Sequence, residues 1–180
     1  MDNLTLRLSM GIERIAVLGA GQMGNGIAQV AACAGYDVVM IDIKQDYLDK
    51  GLAAIENSLS RVVKKERMTQ QEADDARARI STSVDRSACH DVDLAIEAVP
   101  EVLELKLSIF AELDEICKPE CILASNTSSI SISEIAGATK RPEKVIGMHF
   151  MNPVPIMKLV EGSRGDATSD TVTEKVMERG

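Results

Sequence analysis

The apolar positions of this 180-residue chain change their period several times, and each change marks an element. Ile12, Ile15, Val17 and Leu18 form a compact, largely β-branched run that stops at Gly19, which reads as a buried strand. From Gly21 the period becomes helical, with Met23, Ile27, Val30 and Ala31 on one side and Gly35 as a left-handed stop. Val38 to Ile41 is a second apolar strand, closed by Asp42. Strand, glycine turn, helix and strand within about thirty residues make a βαβ unit. A long amphipathic stretch follows, carrying Leu48, Leu52, Ile55, Leu59, Val62 and Val63 on one face. Thr69 and Glu72 then form a capping box that opens a shorter polar helix to about Arg79. Residues 45–79 are too long for an ordinary crossover and predict an exposed helical hairpin.

Further strands are expected at Ile80–Ser83, at Leu94–Val99 before Pro100, and at Ile122–Ala124. The last of these runs into the polar turn Ser125-Asn126-Thr127-Ser128-Ser129. Val102, Leu105, Ile109, Leu113 and Ile116 repeat with helical spacing up to Pro119. A second capping box, Ser131 to Glu134, starts a short helix. Val145–Phe150 and Met157–Val160 read as strands and Thr171–Arg179 as a closing helix. Residues 1–11 read as a short polar leader and 12–180 as one domain. Strands alternating with helices predict an α/β fold with a mainly parallel sheet covered on both faces.

Composition narrows the function classes. With 20 Lys+Arg against 28 Asp+Glu the formal net charge is −8, which disfavours nucleic acid and anionic membranes as partners. No apolar run approaches the ~20 residues needed to cross a bilayer. Trp is absent and Phe and Tyr number two each, too few for a platform that stacks single-stranded bases. Cys33, Cys89, Cys117 and Cys121 contain no C-x-x-C pair, and His90 beside Cys89 has no second ligand cluster. Free, mostly buried thiols in a reducing compartment are expected, with the cytoplasm as the default and no metal.

Gly19-Ala20-Gly21-Gln22-Met23-Gly24 fits G-x-G-x-x-G and, as its mechanism requires, follows a strand and opens a helix. Gly19 permits the tight turn, Gly21 leaves room for a pyrophosphate, and Gly24 lets helix and strand pack closely. The helix amino end offers free N–H donors and a positive dipole to phosphates. Asp42 can accept the ribose hydroxyls of NAD and would repel a 2′-phosphate, although Lys44 stands nearby. A P-loop fails, because Asn25 stands where lysine is needed. The expectation is a Rossmann-like, doubly wound dinucleotide fold with the hairpin inserted after its second strand.

His149, within Gly147-Met148-His149-Phe150-Met151-Asn152-Pro153, is the candidate base. If the strand carrying Glu161 is a neighbour, that carboxylate can hold one imidazole nitrogen while the other faces an alcohol losing hydride to nicotinamide. Asn152 and the 125–129 turn could polarise the developing carbonyl oxygen. A lone histidine at a strand end also serves as a structural hydrogen-bonding residue.

Five ordered segments carry a specific resemblance. They are Val17-Leu18-Gly19-Ala20-Gly21-Gln22-Met23-Gly24, Ile96-Glu97-Ala98-Val99-Pro100-Glu101, Ser125-Asn126-Thr127-Ser128-Ser129, His149-Phe150-Met151-Asn152-Pro153-Val154-Pro155 and Met157-Lys158-Leu159-Val160-Glu161. From about Ile12 to Gly180 the chain resembles the NAD-binding domain of the (S)-3-hydroxyacyl-CoA dehydrogenase family, and within it the bacterial members acting on 3-hydroxybutyryl-CoA. The resemblance implies His149 as general base and Glu161 as the carboxylate that orients it. It implies Ser128 in contact with both the substrate oxygen and the nicotinamide end. Glu101, Lys106 and Asn152 match positions around the cofactor, and Asp42 matches the ribose acid. Ser58 and Lys65 match positions that contact coenzyme A. Arg61, Lys64, Lys65 and Arg67 against the single acid Glu66 suit a phosphorylated ligand, and equally describe a solvated helix face.

Family members continue into a helical carboxyl-terminal domain that closes the cleft and makes most of a homodimer. That domain is expected to be missing here, so that the chain binds NAD but turns over poorly. Short-chain 3-hydroxyacyl-CoA oxidation, or the reverse reduction, is the leading expectation. A hydroxy sugar acid dehydrogenase and a non-catalytic nucleotide-binding module are the alternatives.

Overall fold

The computed structural model describes Leu6, Leu8, residues 11–157 and residues 159–177. Its strands are β1 (Arg14–Leu18), β2 (Asp37–Ile41), β3 (Ile80–Ser83), β4 (Leu94–Glu97), β5 (Ile122–Ser125), β6 (Val145–Phe150) and β7 (Val160–Arg164). The helices are α1 (Gln22–Cys33), α2 (Gln45–Lys64), α3 (Gln70–Ala78), α4 (Leu103–Ile116), α5 (Ile132–Ala136) and α6 (Asp170–Val176). The sheet runs β3-β2-β1-β4-β5-β6-β7, parallel throughout except for β7, which pairs antiparallel with β6. This is a Rossmann-like, doubly wound sheet. Its order reverses between β1 and β4, and the crevice outside those strand ends is where such sheets bind ligands.

Two apolar layers sandwich the sheet. Ile15, Val17, Ile96, Ala124, Ile146 and Met148 belong to the layer that includes Ile27, Leu48, Ile55 and Val172. Ala16, Leu18, Ala95, Leu123 and Val145 point the other way, into Ile109, Phe110, Leu113 and Ile135. The strict alternation along β1 is the period of two that a strand imposes, and burial on both faces explains its continuous apolar sequence.

The hairpin of α2 and α3 is built as its caps require. Thr69 accepts from the Glu72 amide while Glu72 returns a bond to the Thr69 amide, a complete capping box. Ser131 Oγ likewise accepts from the Glu134 amide at the start of α5. The stretch read as a polar leader contributes apolar packing: Leu8 is buried, its amide donating to the Tyr36 hydroxyl at 3.0 Å, and Leu6 lies against the same layer.

Three expectations need correction. The strand after His149 runs Val160–Arg164, later than the apolar run Met157–Val160 suggested. Ile156, Met157 and Leu159 instead sit exposed in the preceding loop, whose Lys158 lies outside the described residues. A polar edge strand, paired with β6 on one side only, carries no apolar signature. The closing helix ends at Val176, before the expected Arg179, which lies outside the described residues. β4 also stops at Glu97, two residues short of Val99.

Candidate functional site

The glycine turn is set by close backbone packing. Gly19 has φ +107°, and a Cβ there would lie 2.6 Å from the Ala98 carbonyl oxygen. A Cβ on Gly24 would overlap the Gly19 carbonyl, so these two glycines are demanded by the fold. Gly21 differs: its φ is ordinary and an added Cβ would meet no protein atom. It stands at the cap of α1, where the first amides have no acceptor within the helix. Asp42 reaches back from the end of β2, taking the Ala20 amide on Oδ2 at 2.8 Å and the Ile43 amide on Oδ1 at 2.7 Å. Gln22 bridges the turn to the far side of the crevice, its Nε2 donating to Asn152 Oδ1 at 3.1 Å. The open space over Gly21, free helix amides and an acid at the end of β2 fit a bound dinucleotide.

On β6 and β7 the ladder sets His149 directly opposite Glu161. His149 Nδ1 lies 3.5 Å from Glu161 Oε2. The imidazole is 29% exposed and the carboxylate 60%, so both reach solvent and neither bears the full cost of burial. His149 and Ser128 lie between two depressions and line both. One, of about 300 Å³, also touches Met23, Ala98, Val99, Asn126 and Asn152 and so opens toward the glycine turn. The other, of about 430 Å³, is walled by Thr127, Glu161, Gly162 and Ser163. Twelve of the expected residues thus gather around one crevice: the six of the 19–24 turn with Asp42, Asn152 and Glu101 on one side, Ser128 and His149 at the divide, and Glu161 beyond.

Glu101 anchors the turn that carries Ser128. Its Oε1 accepts from the Thr127 hydroxyl, from the Ser128 amide at 3.2 Å and from the Ser129 hydroxyl at 3.1 Å. Burial acts to raise its pKa, but the bonds from Thr127 and from Lys106, the Lys106 charge and the Ser129 bond outweigh it and bring it to about 2. Lys106 is placed otherwise than its expected cofactor role suggests. Its side chain is 1% exposed and its Nζ sits between Glu97 Oε1 at 2.6 Å and Glu101 Oε2 at 3.2 Å. It supports the crevice from beneath.

Two site residues escaped the sequence reading. Asn126 Oδ1 accepts the Phe150 amide at 2.8 Å and ties the serine-rich turn to the strand of His149. Glu97 anchors Lys106 from within the core. The only signal in the sequence was that both lie in segments already singled out. Ser58 lies half-buried on α2, and Lys65 is exposed at its end among Arg61, Lys64 and Arg67. α2 approaches the glycine turn at Gly51, where an added Cβ would lie 2.9 Å from the Ala20 carbonyl. No hydrogen bond or ion pair among the described residues links Ser58 or Lys65 to His149, whose side-chain partner is Glu161. Among the described residues, no helix is long and apolar enough to cross a membrane.

Fold and site together define a dinucleotide-binding domain of the dehydrogenase type. Residues 14–179 match the family described as "3-hydroxyacyl-CoA dehydrogenase, NAD binding domain", and the chain belongs to that family. A 3-hydroxybutyryl-CoA dehydrogenase of Bradyrhizobium diazoefficiens is 51% identical over 91% of this chain and 56% of its own length. A probable 3-hydroxybutyryl-CoA dehydrogenase of Bacillus subtilis is 49% identical over 93% of the chain and 58% of its own length. The crystal structure of 3-hydroxybutyryl-CoA dehydrogenase from Escherichia coli K12 superposes with a TM-score of 0.92 at 41% identity, covering 94% of this chain and 36% of that one. The chain therefore spans little more than half the length of these two curated relatives.

Proposed function

We propose that this domain serves the NAD-dependent oxidation of a short-chain (S)-3-hydroxyacyl-CoA to the 3-oxoacyl-CoA, or the reverse reduction. The observation that carries the reading is the opposition of His149 and Glu161 across β6 and β7, at the divide between the two depressions. Bound NAD would supply the hydride acceptor, and Met23, Glu101, Ser128 and Asn152 line the depression that would hold its reactive end. Asp42 would accept from the ribose hydroxyls, and the amides of Gln22 and Met23 would donate to the diphosphate. Gln22 and Asn152 close over that side, and Glu101 borders it.

His149 Nε2 would take the proton of the substrate hydroxyl, while the carbon bearing that hydroxyl would give its hydride to the cofactor. Glu161 accepts from Nδ1, fixing the tautomer before the transfer and stabilising the imidazolium after it. Ser128 Oγ donates to the same oxygen, and with Asn152 it stabilises the charge that gathers there. The thioester tail extends along the hairpin, with Ser58 near the coenzyme and Lys65 and its basic neighbours against the phosphates.

Full turnover is expected of a chain with the relatives' length, whose further residues would complete the cleft and carry a homodimer contact. From residues 1–180 we expect NAD binding with little turnover. The free state of all four cysteines fits a reducing compartment, the cytoplasm.

The test uses the full-length protein with 3-hydroxybutyryl-CoA and, separately, a hydroxy sugar acid, following NADH absorbance. Oxidation of the thioester is expected, and His149→Gln should lower kcat by about 10²- to 10⁴-fold with NAD affinity retained. Equal activity of His149→Gln and wild type, or preference for the sugar acid, would overturn the reading.

A further inference from the structure

Glu97 ends β4 with a side chain that is 0% exposed, and Lys106 meets it from α4 at 1%. Withdrawing two such charges from water costs several kcal/mol each, and apolar residues of the same volume usually do as well for stability. What the ion pair adds here is direction. Glu97 Oε1 accepts from Lys106 at 2.6 Å and from the Val99 amide at 2.8 Å, and Oε2 accepts from the Ser125 hydroxyl at 2.6 Å. Ser125 Oγ in turn accepts from the Thr127 amide at 3.3 Å. Lys106 reaches Glu101, and Glu101 holds Thr127, Ser128 and Ser129. Two routes therefore run from one buried carboxylate to the same turn, one through Ser125 and one through Lys106 and Glu101. No buried side-chain nitrogen or oxygen among the described residues lacks a partner, so the buried members of the network are satisfied.

We propose that Glu97 is a positioning residue: fixed at the end of β4, it sets the 127–129 turn by both routes and so holds Ser128 at the divide beside His149. This rests on the reading of Ser128 and His149 as the groups that meet the substrate oxygen. Lys106 is then a link in the chain of support, and Glu101 turns toward the Ser128 amide and the Thr127 and Ser129 hydroxyls because Lys106 holds its other oxygen.

The test uses the full-length protein, with Glu97→Gln, Ser125→Ala and the double variant Glu97→Gln/Lys106→Met, assayed well below their melting temperatures. NAD-binding sites are titrated by fluorescence, so that turnover is expressed per competent site. A wild type without activity would defeat the proposed reaction and is recognised before any variant is compared. In an active protein, Glu97→Gln should lower kcat per site by about 10- to 100-fold while KM for NAD changes little. Ser125→Ala, which cuts only one route, should move kcat per site in the same direction by less. Glu97→Gln/Lys106→Met, which removes both buried charges, should recover melting temperature without recovering kcat. Turnover per site equal to wild type in Glu97→Gln and Ser125→Ala would overturn the proposal, as would recovery of kcat together with stability in the double variant. Should Glu97→Gln fail to fold, the other two variants decide by the same readouts.

Discussion

Gly21 and Gly24 stand three residues apart in one turn, yet the protein needs only the second. A methyl at Gly24 would overlap the Gly19 carbonyl, whereas one at Gly21 would enter open space. Gly24→Ala should therefore lose about 1–3 kcal/mol in urea denaturation. Gly21→Ala should unfold as wild type does, and yet calorimetry should find NAD bound at least about tenfold more weakly, the worth of 1.4 kcal/mol. Glu101 gives a second residue-scale test. Its folded pKa of about 2 lies below the ordinary 4.5, so the stability it contributes is fully present above pH 4.5 and is lost as pH falls toward 2. Glu101→Gln should flatten that part of the stability–pH curve, as measured by urea midpoints between those limits. The motif made the glycines legible, but nothing in a row of letters separates a glycine the fold requires from one its ligand requires.

Among the elements, the hairpin was legible because its signals are local. Thr69 and Glu72 lie three residues apart, and Thr69→Ala should cost about 1 kcal/mol in thermal or urea unfolding. The end of α2 was less legible. Glu66 takes φ +54°, and its amide and that of Arg67 fold back to the Val63 and Val62 carbonyls. A left-handed non-glycine residue costs about 1–2 kcal/mol, so Glu66→Gly should stabilise by roughly 0.5–1 kcal/mol after the entropy of the added glycine is subtracted. The same change removes the one acid among Arg61, Lys64, Lys65 and Arg67. If these residues meet coenzyme phosphates, KM for the acyl-CoA should fall in Glu66→Gly and rise in Lys65→Ala. β7 was misread because edge pairing leaves no periodic trace, while the conspicuous apolar letters beside it belong to a loop.

For the whole molecule, the mainly parallel sheet and both apolar layers followed from alternating strands and helices, since a parallel strand must be covered twice. The buried Glu97–Lys106 pair did not follow, because a lysine on a helix reads as solvent-facing until the partner carboxylate, nine residues earlier, is seen beneath it. Ligand binding at the switch point of so continuous a sheet should stabilise all of it. At NAD one hundredfold above its dissociation constant the gain is about 2.7 kcal/mol. For a domain of this size that raises the melting temperature by roughly 5–11 °C, checked by scanning calorimetry. NADP should give a smaller rise, since Asp42 opposes its extra phosphate. The antiparallel ladder carries a last consequence. Register between His149 and Glu161 is kept by the hydrogen bonds of β6 with β7, while in the segment that joins them Asn152 meets Gln22, Val154 is buried, and Ile156, Met157 and Leu159 are exposed. The exposed residues Ile156, Met157 and Leu159 of that joining arc can be exchanged during descent without parting the imidazole from its carboxylate, which leaves that stretch open to innovation around an unchanged pair.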